Sequence, residues 1–332
     1  MNAKRFAAVV VAIGMITAAF VLRRNVIESD DAAATVPGTD APAVSDRLVC
    51  ITELEAVCRA VGAAQPQLDI DIEDGLATLD RLAALDDGDN VPLWLTVEPF
   101  PAMVDEIRTS EGRDPLGLGS ETLAATQLGI AAPVGGRFEQ LATACPDAPA
   151  WRCLGQQAGT PWTELGGQEN WGTVRPSVGS VDRSAVALAS FAAAVAGYVG
   201  EPTFSRATWE LDPDFIGWVR RLARTVPTER LSGGTPLATM ATRPGALDMA
   251  ATTGAEVSTV DPESARFEVK YPEPAMSLEA VLAVPTEGVQ EAAGAATTAL
   301  TEAGWSPPVD VTSTLPSATT MLALRTLWQE AT

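Results

Sequence analysis

Between Arg47 and Arg108 the apolar residues switch repeatedly between the strand period and the helix period, and few architectures accommodate that alternation. A strand is expected over Arg47 to Thr52 and a helix over Glu53 to Ala64. Leu68-Asp69-Ile70-Asp71-Ile72 alternates apolar and acidic residues, the period of a strand with one solvated face. Leu76, Leu79, Leu82 and Leu85 then recur at helical spacing. A turn cluster, Asp86-Asp87-Gly88-Asp89-Asn90, precedes an apolar strand at Val91 to Thr96 and a helix over Pro101 to Arg108. Strands alternating with helices call for a mainly parallel sheet with covering helices, an α/β fold.

The pattern continues less regularly. Leu123 to Pro133 reads as a buried extended segment and Arg137 to Cys145 as a helix. A short helix is expected from Pro161 to Glu164, with a short strand over Gly172 to Pro176. Ser184 to Gly200 is apolar and Ala-rich, and reads as a buried helix rather than a membrane span. Phe215 to Thr225 is amphipathic, with Arg220, Arg221 and Arg224 expected in water. Gly234 to Thr242 and Ala246 to Thr252 give a helix and a strand. Strands at Arg266 to Tyr271 and Glu279 to Val284 follow, then helices at Val289 to Ala303 and Ala318 to Glu330.

The N-terminus carries the information on location. Lys4 and Arg5 precede the uncharged run Phe6 to Leu22, which Arg23 and Arg24 close. As a helix it would span roughly 25 Å, the short end of a membrane helix. Small residues do not follow it at once, so an uncleaved anchor over 1–27 is expected, a cleaved signal peptide being the alternative. Residues 28–45, rich in Ala, Asp, Thr and Pro, read as a stalk. The formal charge is −21 although the first 24 residues carry only basic charges, which places the acidic bulk outside the cell. Such a charge argues against nucleic acid and anionic lipid surfaces as partners. The four cysteines form two pairs of equal spacing, Cys50 with Cys58 and Cys145 with Cys153. Local disulfides are expected outside the membrane, although four cysteines allow three connectivities.

Catalytic chemistry is narrowed by elimination. The chain has no histidine, so Ser-His-Asp and Cys-His arrangements are impossible. A Ser-Lys dyad could use only Lys270, within an expected strand, and no phosphate-binding glycine pattern occurs. No enzyme activity and no cofactor are expected. Asp69, Asp71, Glu73 and Asp74 lack the glycine a calcium loop needs, and read as strand residues rather than a metal site.

Strand ends and helix starts are the better candidates for binding, because ligands of open α/β sheets lie at the carboxyl ends of strands, where helix N-termini point donors at them. Four such places occur: Thr52-Glu53; Thr96 with Glu98; Ser177 with Ser184; and Thr252-Thr253 with Glu256. Helix capping explains each one singly; their recurrence is what points to a site. Trp94, Trp151, Trp162 and Trp171 are expected mainly in the core.

With these positions assembled, the chain resembles the type II periplasmic (extracellular) solute-binding proteins, in particular the actinobacterial solute-binding domains related to molybdate-binding proteins. The resemblance runs from Asp46 to Trp328. It is carried by Leu48 to Leu54, Val91 to Pro99, Trp171 to Ser177 with Ser184, Ala250 to Thr253 with Glu256, and Tyr271 to Pro274. It implies a two-lobed fold, with lobe 1 at 46–130 and 268–332, lobe 2 at 131–267, and crossings near Gln127 to Val134 and Arg266 to Pro274. It also implies capture of a small ligand between the lobes, for transport or sensing, with a transporter or another envelope protein as partner. The alternative is an envelope interaction module of the same fold without a small ligand. Thr52-Glu53 stands where oxyanion binders of this family carry a serine pair, and Glu53, Glu98 and Glu256 would repel an anion.

Overall fold

The computed structural model describes residues 46–148, 150–227, 235–284, 290–308 and 315–332. The anchor and stalk expected over residues 1–45 lie outside the described residues. The strands are β1 (Arg47–Ile51), β2 (Asp69–Glu73), β3 (Leu93–Val97), β4 (Gly119–Pro133), β5 (Pro176–Ser177), β6 (Met249–Thr253), β7 (Phe267–Lys270) and β8 (Ser277–Val284). The helices are α1 (Glu55–Ala64), α2 (Gly75–Ala83), α3 (Phe100–Ser110), α4 (Arg137–Ala144), α5 (Ala150–Gln157), α6 (Ala185–Val199), α7 (Arg206–Glu210), α8 (Phe215–Thr225), α9 (Pro236–Thr242), α10 (Gly254–Val260), α11 (Gln290–Glu302) and α12 (Ala318–Ala331).

The fold is mixed α/β, with strand order β2-β1-β3-β8-β4-β6-β5 and β7 also on β4. The expected alternation from Arg47 to Arg108 forms β1 to α3, and β1 pairs parallel with both β2 and β3. The expectation of a mainly parallel sheet needs correction. β8 is antiparallel to β3 and β4, and β6 and β7 are antiparallel to β4; β5 and β6 are parallel. The reason is β4, whose 15 residues run through both halves of the sheet. Through Gln127 it pairs with β8; from Ile130 it pairs with β7. The chain returns through β7 and β8, so the middle of the sheet consists of two long antiparallel passages.

Helix α6 occupies the centre. Its side chains from Ala187 to Ala196 are all buried, which explains an apolar run without a polar face. Ser184 caps it by accepting from Ala187 N–H at 2.9 Å, and Gly200, at φ 88°, ends it. Among the described residues, no helix is long and apolar enough to cross a membrane. Gly75 begins α2, where a Cβ would lie 2.7 Å from the Cβ of Ala185. That close approach brings the start of α2 against the start of α6, and Leu76 N–H donates to Arg183 O at 2.9 Å.

The acids of the Leu68–Asp74 segment serve as ion-pair partners. Asp71 pairs with Arg47, Glu73 with Arg81 and Asp74 with Arg183. Trp94, Trp151 and Trp162 are buried, while Trp171 is half-buried under the Arg137 guanidinium, 4.8 Å from its ring. On α8, Arg220 and Arg224 are exposed. Arg221 departs from the expectation, being half-buried because its Nε donates to Gly155 O at 3.1 Å.

Both local disulfides form. Cys50–Cys58 ties β1 to α1, and Cys145–Cys153 ties the end of α4 to α5. The cysteines of each pair are eight residues apart, so each bond closes a short loop and constrains the unfolded chain modestly. Replacing Cys50 and Cys58 together by serine should lower the unfolding free energy by about 2–3 kcal/mol, read as a lower urea midpoint. An unchanged midpoint would contradict this.

Candidate functional site

Strand β1 ends at Ile51, and a single 3-10 turn, Thr52–Leu54, leads into α1. Strand β6 ends at Thr253, and α10 begins at once. A cavity of about 220 Å³ lies between these two strand ends. The first turn of α6, the start of α9 and the Ala303–Trp305 segment after α11 complete its walls. Two carboxylates line it, Glu53 and Glu256, and they are its only charged groups among the described residues. Leu54, Val57, Val186 and Val260 make much of the remaining wall apolar.

Each carboxylate is held by the hydroxyl of a helix N-cap. Ser184, the N-cap of α6, donates to Glu53 Oε1. Thr235, the N-cap of α9, donates to Glu256 Oε1. Thr252 donates to Glu256 Oε2 at 2.8 Å. Thr253 caps α10 by accepting from Glu256 N–H at 3.1 Å, the Thr-x-x-Glu pattern of a capping box. Thr52 faces the cavity while donating to Glu73 O at 3.1 Å and to Asp74 Oδ1 at 3.2 Å. Glu53 Oε2 is shielded from solvent and has no hydrogen-bond donor among the described residues.

Burial pushes both carboxyls above the usual carboxylate range. At Glu53 the Ser184 hydroxyl and the backbone at Glu53 and Val186 oppose this, while the charge of Asp74 adds to it. At Glu256 the Thr235 and Thr252 hydroxyls and the backbone at Ala238 and Thr253 oppose it. The sign of the pH dependence follows. Between the free value of 4.5 and the raised value, the folded chain holds protons that the unfolded chain has lost. The contribution of these carboxyls to stability is therefore full below the free value and declines as pH rises through the window. Glu53→Gln should melt above the wild type at neutral pH, and the gap should close on acidification towards pH 4.5. A gap that widens on acidification, in melting curves recorded across pH, would contradict this assignment.

The structure brings Thr52, Glu53, Ser184, Thr252, Thr253 and Glu256 into one constellation. The other three candidates lie elsewhere. Thr96 is fully buried inside β3, because the strand continues to Val97, and its Oγ1 has no hydrogen-bond partner among the described residues. Glu98 accepts from Ser120 and lines a separate cavity of about 230 Å³ with Glu279 and Ser317. Ser177 is buried in β5 and its Oγ accepts from Gly179 N–H at 3.2 Å. Sequence reasoning missed Thr235 and Trp305. Thr235-Pro236 is a visible N-cap followed by proline at the first helical position. Nothing around Trp305 marks it, since only the fold returns it to the cavity.

No protein-family profile matches the chain. No curated protein matches it either, so the expected kinship with molybdate-binding relatives finds no support in sequence. Among solved structures, the sulfate-binding protein SubI from Mycobacterium tuberculosis is 15% identical, with 86% of this chain and 97% of that chain covered and a TM-score of 0.45. A periplasmic thiamin binding protein is 11% identical over 90% of this chain and 99% of that one, with a TM-score of 0.47. A ferric binding protein from Campylobacter jejuni is 8% identical over 86% and 96%, with a TM-score of 0.49.

Proposed function

We propose that the chain is a membrane-tethered extracellular solute-binding protein, which captures a small polar ligand in the cavity of Glu53 and Glu256 for transport or sensing. The observation that carries this reading is the cavity's place, at the carboxyl ends of β1 and β6 and beside the N-cap of α6. A volume of about 220 Å³ admits a small molecule and little more. In this reading residues 46–130 and 268–332 form one lobe and 131–267 the other. Thr52, Glu53 and Trp305 belong to the first lobe, and Val186, Thr235 and Glu256 to the second. The anchor at residues 1–27 and stalk at 28–45 hold the domain outside the cell, in keeping with two disulfides.

A specific set of contacts favours a second reading, the envelope interaction module without a small ligand. Arg183 Nε binds Asp74 Oδ2 at 2.9 Å and Ser184 binds Glu53, so side chains of the two halves already join beside the cavity. The test is thermal melting of the full chain with pools of small polar metabolites, alongside Ala238→Phe, which fills the cavity. Stabilisation of the wild type by at least one pool, absent from the variant, is the expected result. Equal responses, or none, would favour the interaction module.

A further inference from the structure

The charge and hydrogen bonding of the cavity narrow its ligand. This step rests on the reading of the cavity as a solute site. Among the described residues, its lining holds two carboxylates and neither lysine nor arginine. Four hydroxyls beside it already donate elsewhere: Ser184 to Glu53, Thr235 and Thr252 to Glu256, and Thr52 to Glu73 O and Asp74. An entering anion would meet two like charges and displace a carboxylate from the N-cap of α6. Glu53 Oε2 is buried and has no hydrogen-bond donor among the described residues.

A bare metal ion suits the site poorly. Among the described residues no group of three or more acids or cysteines converges, and hard cations want six or more oxygens. The volume and the apolar walls of Leu54, Val57, Val186 and Val260 suit an organic group carrying the charge. Trp305, buried and in the lining, offers an aromatic surface of the kind that attracts cations.

We infer that the cavity takes a small organic cation, a primary ammonium that meets the Glu53 carboxylate and whose charge is balanced by Glu53 and Glu256. Glu53 is the anchor that distinguishes a cation from a neutral isostere. Glu256, with its hydroxyl partners already in place, contributes charge more than a new hydrogen bond.

The test is calorimetric titration and thermal melting of the full chain with n-butylammonium, n-butanol, butyrate and sulfate. n-Butylammonium should bind and raise the melting temperature, and the other three should not. Glu53→Gln should weaken n-butylammonium by about tenfold or more, the loss of a charge-assisted hydrogen bond. Trp305→Leu should weaken it separately, a second readout that does not depend on the Glu53 variant. Binding of butyrate or sulfate instead would overturn the ammonium assignment and leave solute capture standing. Equal n-butylammonium affinity in wild type and Glu53→Gln would overturn it too, as would no response to any probe. Solute capture itself is read separately, by the mass of any ligand that co-purifies with the chain.

Discussion

Asp248→Ala is expected to destabilise the fold by about 3 kcal/mol, at the lower end of the cost of breaking a buried ion pair. Asp248 is fully buried. Its Oδ1 takes Arg137 Nε at 3.3 Å, and its Oδ2 takes the Arg175 backbone N–H at 3.1 Å and Arg175 Nε at 3.3 Å. The carboxylate thus fastens α4 and the segment entering β5 to the start of β6, the strand whose far end forms the cavity wall. Removing it leaves two guanidiniums without their counter-charge. Arg137 is only 14% exposed and bears most of that penalty, whereas Arg175 at 35% keeps part of its hydration, which sets the estimate low. Asp248→Asn keeps an acceptor for the Arg175 N–H and should lose less. Urea midpoints at constant m-value read both; an alanine variant as stable as the wild type would contradict the account.

Trp218→Ala should cost about 3–5 kcal/mol, the usual range for emptying a buried tryptophan site. Trp218 on α8 is fully buried between Phe215, whose ring centroid lies at 5.7 Å, and Tyr198, at 4.8 Å. Its Nε1 donates to Trp151 O at 3.3 Å and to Arg152 O at 3.2 Å, so the ring also serves carbonyls of α5. The fit depends on Gly155, where a Cβ would lie 2.1 Å from Trp218 Nε1. Gly155→Ala should therefore destabilise as well, by overpacking instead of a cavity. Denaturant unfolding of the two variants separates these causes from a general intolerance of α5. Little loss in either would mean that α5 and α8 do not pack as described.

What the sequence made legible follows from how local each signal is. The alternation from Arg47 to Arg108 was readable because strong periodicity and turn residues coincide there. The antiparallel centre was not, because strand direction depends on where a chain crosses, not on its side chains. The start of β4, Gly119-Ser120-Glu121-Thr122, was hidden for a related reason: it is polar, so no apolar pattern announces it. Helix α10 begins with glycine and contains Val257, Thr259 and Val260, residues of modest helix propensity, and its Thr253 cap and tertiary packing sustain it. At the site, Glu53, Ser184 and Glu256 were legible as residues at strand ends and helix starts. Thr96 was misplaced because β3 extends one residue beyond it. Trp305 reaches the cavity only through the return of α11, which no local pattern records.

The most direct measurement of the central claim is native mass spectrometry of the full chain, purified under native conditions from its own cell envelope, beside Ala238→Phe. Capture of a solute in the Glu53–Glu256 cavity predicts a wild-type species heavier by one small molecule of defined mass, which is absent from the variant. A wild type at its bare mass, or the same added mass in both proteins, would contradict it.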